Sequence, residues 1–439
     1  MRNLLLIMMV IWGTPARAAE VKTPDVRRWS LPNGLQVLFL AEHKAPVVTV
    51  QVFYHVGGKD EPADKRGMAH MFEHMMFKGS THVPPEEHAR FIDSVGGNEN
   101  AFTADDETAF HDTVPPSALD FTLKLEAERM RNLKLIQKTI DSEREVVKEE
   151  LRVRVENSPI QKAVDKVMHL AYTVHPYQQL PIGQKQMLDT VTVADCQKFY
   201  DLYYQPNNAT LIIVGDTDEA TLKKLVDEHF GKIPRGPEIH RKSIVEPPQE
   251  KARTATMTLP VQLPVMVGAY HIPAGDSDDM YALNVLQQIL SGGESSRLYQ
   301  RIVRKDKLAV FAGGGVFEHE DPGVFLSFAA YLPGSDAGKI KAALDEEIHR
   351  VTAEPVSDKE LVKARNQLAT RAVFQQERVG TLATTMGADG IVAHDPLASF
   401  KAPARYDAVT AADVQRVAKK YLVETNLSQV TLQPAGGAQ

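Results

Sequence analysis

Between Met68 and Phe77 the apolar and polar positions fall on two interleaved stripes of one helix. Met68, Met71, Phe72, Met75 and Met76 follow the i, i+3, i+4, i+7, i+8 pattern of a single buried face. His70, Glu73, His74 and Phe77 repeat with the same period on roughly the opposite face. An ordinary surface helix would carry Lys, Gln or Ser there. The methionines need no cofactor, because unbranched thioethers at helical spacing fill a core. Upstream, Asn33-Gly34 predicts a hairpin turn, and the runs 35–40 and 47–54 read as strands. Downstream, a helix is expected around 85–94, then a Gly-Gly turn opening a polar, Thr-rich strand region, GGNENAFTADDETAFHDTVP. Long helical patterns follow from about 117 to 132 and from 140 to 155. NATLIIVGD reads as a buried strand closing the first unit.

The pattern then repeats. VTVADCQKFYDLYYQPN at 191–207 parallels VTAADVQRVAKKYLVET at 409–425, and each segment precedes an apolar strand. The second half also opens like the first, with strand PVMVGAYHIP and helix DMYALNVLQQIL. A Pro-rich, charged stretch lies between the halves. The expected fold is therefore α+β, with two homologous α/β-sandwich domains, each a mixed or antiparallel sheet with helices packed on it. Their expected limits are 19–232 and 256–439, joined by a linker over 233–255.

Composition narrows the partners. The chain has 439 residues and a net charge of −7, so it has no general basic footprint for nucleic acid. One cysteine, Cys196, excludes an intrachain disulfide or a multi-cysteine metal site, and it reads as a small buried hydrophobe. The N-terminus MRNLLLIMMVIWGTPARAAE has an early Arg2, an apolar run to Trp12 and an A-x-A site at Ala16–Ala18. It reads as a cleavable signal peptide, 1–18, too short to span a bilayer. The expected product is a periplasmic protein with no stable membrane anchor.

The polar stripe changes the picture most. Two histidines at i and i+4 project side by side and can reach one zinc ion at about 2.0–2.1 Å. Glu73 sits on the same face, beside one of them, where it can take a proton from water and pass it to a leaving amine. His70-x-x-Glu73-His74 is the inverted order of a peptidase signature. The plain alternative is a pair of satisfied histidines in a core helix. A hydrolytic site needs a third protein ligand, and DSEREVVKEELRVR at 141–154 is the best donor. Glu143, Val147 and Glu150 share one of its faces, and Glu145 and Glu149 another. Spacing alone does not choose between them, and most acidic helices are simply solvated.

Together the HxxEH helix, the GGNENAFTADDETAFH strand region, the glutamate helix and the duplication resemble the pitrilysin/insulinase family of zinc peptidases. The likeness is closest to its short, mitochondrial-processing-peptidase-like branch and covers nearly the whole chain after the signal peptide. It implies Zn2+ as cofactor, Glu73 as general base, and Glu150 as third ligand beside His70 and His74. Glu143 matches a family glutamate that supports the site from behind the ligands. The resemblance also implies that peptide adds as a β-strand along Asn100, Ala101, Phe102 and Thr103. Glu107 and Asp112 nearby are expected only to solubilise that loop.

The family's second domain usually supplies an arginine and a tyrosine after an S-S-R-L motif. Here the matching positions are Val303 and Val310, which have no donor to offer. Arg301, Arg304 and Tyr299 lie nearby but out of register. The resemblance thus implies the zinc-bearing subunit of a heterodimer, cleaving peptides with a paralogous partner that carries the Arg/Tyr pair. The rival readings are a non-catalytic assembly subunit and a self-sufficient homodimeric peptidase.

Overall fold

The computed structural model describes residues 23–435; the expected signal peptide lies outside them. Among the described residues, eleven strands form two sheets. The first contains β1 (Arg27–Ser30), β2 (Gln36–Ala41), β3 (Val48–Tyr54), β4 (Asn98–Thr103), β5 (Thr108–Val114) and β6 (Ala209–Gly215). The second contains β7 (Arg253–Leu259), β8 (Val265–His271), β9 (Phe311–Phe317), β10 (Val324–Ala330) and β11 (Leu427–Pro434). The strand orders are β1-β2-β6-β3-β5-β4 and β7-β11-β8-β10-β9. Apart from β1, the second order repeats the first, and the one parallel pairing falls at the same place, β2 with β6 and β7 with β11. The duplication extends to helix chemistry: Thr192 with Asp195 and Thr410 with Asp413 form matching capping boxes. The α+β fold with mixed sheets is as expected. No helix or strand is assigned over 234–252, and β7 begins inside the stretch expected as linker.

β3 is buried at every position, because helices cover both faces of its sheet. Val48, Val50, Val52 and Tyr54 point into a core shared with the helices Met68–Met75, Leu119–Arg131, Val193–Tyr203 and Glu219–Phe230. The alternate residue Phe53 points the other way, onto Leu382, Ala383 and Met386 of the helix Val379–Val392. That helix belongs to the second half of the chain. The reverse exchange occurs on the second sheet. There Val265, Val267 and Ala269 of β8 pack on Ala163, Val167 and Met168 of the helix Pro159–Ala171, which comes from the first half. Each half thus lends one helix to the other's sheet, a feature the linear limits 19–232 and 256–439 did not anticipate. Gln51 fastens one exchange, donating to the Gly380 carbonyl at 2.9 Å and accepting from the Thr384 hydroxyl at 3.1 Å.

A second junction is ionic. Lys59 bridges Asp106 (2.8 Å), Glu320 and Asp321 (3.6 Å), while His319 meets Asp105 at 3.0 Å and His55 meets Glu320 at 2.7 Å. The β9–β10 turn is thereby fixed to the β4–β5 turn.

Close approach makes Gly387 a sensitive position. A Cβ there would lie 2.3–2.4 Å from three ring atoms of Phe53. Gly→Ala in a helix ordinarily gains up to about 1 kcal/mol, whereas overpacking a core costs about 1–3 kcal/mol. Phe53 is fully buried and has nowhere to move. Gly387→Ala is therefore expected to lower stability by about 1–2 kcal/mol, read as a lower denaturation midpoint. A variant as stable as the parent would show that the exchanged helix does not stay seated.

Candidate metal and active site

The motif helix spans Met68–Met75. Its apolar stripe is buried as expected. Its start is unusual: Gly67 has φ 98°, and a Cβ there would sit 2.9 Å from the Ile182 carbonyl oxygen. No capping side chain is offered by Gly67 itself. Glu61 serves instead, accepting from the Gly67 N–H at 2.8 Å and the Ala69 N–H at 2.7 Å. A carboxylate there satisfies orphan donors and complements the helix dipole. Burial pushes the Glu61 carboxyl up to about 8, against the pull of those two N–H groups.

The glutamate helix, Gln137–Leu151, crosses the motif helix and resolves the ambiguity between its faces. Glu143 and Val147 are buried against it, and Glu150 is half-buried. Glu145 and Glu149 face outward, paired with Lys148 and Arg152. Glu150 Oε2 lies 3.2 Å from His74 Nε2 and 3.7 Å from His70 Nε2. One donor atom from each of the three residues fits within 4.8 Å of the others. Ligands about 2.1 Å from a tetrahedral zinc stand roughly 3.4 Å apart, so this donor set fits that ion and leaves a fourth position free. His70 is 7% exposed. Burial, then the neighbouring His74, hold its pKa down to about 3, which keeps the imidazole neutral as ligation requires. Burial also disfavours charge on His74, but Glu143, Glu150 and Glu73 outweigh it and lift its pKa.

Two further contacts orient the group. Glu143 Oε2 lies 3.7 Å from His74 Nδ1, and its other oxygen lies 3.4 Å from Lys78 Nζ. Glu73 accepts a 2.7 Å hydrogen bond from the Thr103 hydroxyl. Burial raises the Glu73 pKa, with that hydrogen bond opposing it. Thr103 was expected only as part of a strand; its hydroxyl also steers Glu73. β4 is the outermost strand of its sheet, so Asn100, Ala101, Phe102 and Thr103 border the motif helix on an open edge. Asn100 Oδ1 accepts from the Ala101 N–H at 2.9 Å.

The sequence expectation for Glu107 and Asp112 is corrected. Both are buried, and neither solubilises a loop. Burial, then Asp106, push Glu107 up to about 8. Asp112 meets His88 Nε2 at 3.1 Å, beside Glu126, which the Arg129 guanidinium grips through two nitrogens. His88, Asp112 and Glu126 also bring donors within 4.8 Å of one another. With Arg129 already neutralising Glu126 and packed on Phe77 and Phe110, this is a closed ion network behind β5.

In the second half, the equivalent helix, Asp279–Ser291, holds neither histidine nor glutamate. Val303 packs against an apolar cluster, and Val310 is exposed just before the edge strand β9. Arg301 is paired with Asp306 and Glu346, and Arg304 with Glu294 over the Tyr299 ring. All these partners lie in the second half.

These features define a class: a duplicated α/β protein that, among the described residues, has a two-histidine, one-carboxylate cluster in its first half only. The comparisons with known proteins agree. Residues 36–182 match the family model "Insulinase (Peptidase family M16)", and residues 190–368 match "Peptidase M16 inactive domain". The zinc protease PqqE of Helicobacter pylori is 32% identical over 432 residues, covering 98% of this chain and 97% of its own. A probable mitochondrial-processing peptidase subunit beta of Arabidopsis thaliana is 24% identical over 425 residues, 94% of this chain and 79% of its own. The crystal structure of a protease from Helicobacter pylori superposes with a TM-score of 0.90 at 31% identity, covering 94% of this chain and 100% of that one. The chain belongs to the insulinase family of peptidases, M16.

Proposed function

We propose that this chain is a zinc-dependent peptidase and the metal-bearing subunit of a heterodimer. The reading rests above all on the convergence of His70, His74 and Glu150 beside Glu73. His70, His74 and Glu150 hold the ion, and Glu143 orients His74 through Nδ1. When bound, zinc acts as a Lewis acid that polarises the scissile carbonyl and acidifies water. An extended peptide pairs along β4, its backbone held by the free N–H and C=O groups of that edge. Thr103 holds Glu73 ready to take the proton of the attacking water. Glu73 then returns it to the leaving amine. Zinc-protease relatives support the metal, and the N-terminal segment supports export to the periplasm.

The heterodimer rests on Val303 and Val310. Neither offers the donor pair that the resemblance places there, and the nearby arginines are engaged within their own half.

The test is zinc content after chelator washing and reloading. One ion per chain is expected, with His70→Ala and Glu150→Gln losing it. Stoichiometric zinc in both variants would refute the ligand assignment.

A further inference from the structure

One charged group at the cluster has no role in the reading above. Arg154 Nη1 lies 2.8 Å from Glu150 Oε1. The two oxygens of Glu150 are thus divided: Oε2 faces the histidines and Oε1 faces the guanidinium. Arg154 arises from the same helix face as Glu143, Val147 and Glu150, one further step of four. It sits in a π-type turn, Arg152–Glu156, that continues the glutamate helix, with the Asn157 N–H bonded to the Arg152 carbonyl at 2.8 Å. Such widened turns recur at functional sites.

The rest of the surroundings leaves this duty to Arg154. Glu150 has salt bridges only to His70, His74 and Arg154 among the described residues, and its side chain is 16% exposed. A carboxylate on a flexible stem rotates freely unless its second oxygen is held. The ion pair with Arg154 supplies that hold.

We infer that Arg154 is a positioning residue for the third ligand: by clamping Glu150 Oε1 it presents Oε2 to the ion that His70 and His74 share. The inference rests on the zinc reading above. Two effects of the guanidinium oppose each other. Its charge repels a divalent cation, and its ion pair with Glu150 Oε1 preorganises a ligand of that cation. The Arg154 side chain is 72% exposed, so solvent and salt screen the repulsion. The ion pair acts at contact, 2.8 Å, whereas an ion beyond Oε2 lies farther from the guanidinium. Preorganisation therefore wins, and removing Arg154 weakens zinc binding.

Arg152 provides a matched control. It occupies the same turn and grips Glu149 at 2.8 and 2.6 Å, on the outward face. Its removal costs the turn the same charge and a comparable ion pair without touching the cluster.

The experiment measures zinc affinity of the full chain at neutral pH by competition with a chromophoric chelator. Arg154→Ala is expected to weaken zinc binding by about 10–100-fold, the usual effect of losing a group that orients a ligand. Arg154→Lys, which restores a donor without the planar fork, should recover part of that loss. Arg152→Ala should bind zinc like the unaltered chain, and the metal-free Ala variants should unfold at the same temperature. Unchanged or tighter zinc binding in Arg154→Ala would overturn the inference, as would an equal loss in Arg152→Ala. If the unaltered chain binds zinc no better than His70→Ala, the zinc reading falls and this inference with it. That result is recognisable because the His70 control then shows no difference.

Discussion

Replacing Glu73 with glutamine is expected to leave zinc in place and lower peptide turnover by roughly 10²–10⁴-fold. Glutamine keeps the length and shape of the side chain and can still meet the Thr103 hydroxyl. It has no basic oxygen to take a proton from water. The three groups that converge on the metal position are untouched, because Glu73 is not one of them and its carboxylate is held by Thr103 of β4. The measurement pairs zinc content with steady-state cleavage of a fluorogenic peptide. Near-normal turnover in metal-replete Glu73→Gln would remove Glu73 from the role of general base.

The purified chain alone is expected to carry zinc and cleave peptides poorly. Loss of one oxyanion donor typically costs about 10²–10³ in turnover, and valines stand at 303 and 310, where the resemblance places two donors. Adding a paralogue with the Arg/Tyr pair should restore activity. Val303→Arg with Val310→Tyr should recover less, because neither new side chain inherits a supporting shell. Val303 in particular is packed among apolar neighbours, where a guanidinium would displace them. Vigorous cleavage by the chain alone, unaffected by any paralogue, would refute the divided site and leave the zinc assignment standing.

The motif helix was legible because its information is local. A period of 3.6 residues separates the methionine stripe from the histidines whatever surrounds them. The duplication was legible for the same reason, since VTVADCQKFY and VTAADVQRVA carry one capping box twice. The glutamate helix was legible as a helix, but periodicity left two glutamate faces open. Only the crossing with the motif helix turns Glu143 and Glu150 inward. Glu61, Arg154 and the hold of the Thr103 hydroxyl on Glu73 escaped notice because each acts through a contact that no pattern along the chain encodes. Glu107 and Asp112 were misread for a related reason. A carboxylate in a polar loop looks solvated until distant segments bury it, as they bury Glu107, or bring it a partner, as His88 is brought to Asp112.

The reciprocal loan of helices bears on how such a chain is inherited. A half excised at the linker would leave behind the helix that shields its own sheet, and would carry away one whose apolar face fits only its sibling. Neither half is a portable module, although each descends from the same ancestral unit. The two halves are thus obligate companions, and the half without the HxxEH helix is the complement without which the other has no closed interior.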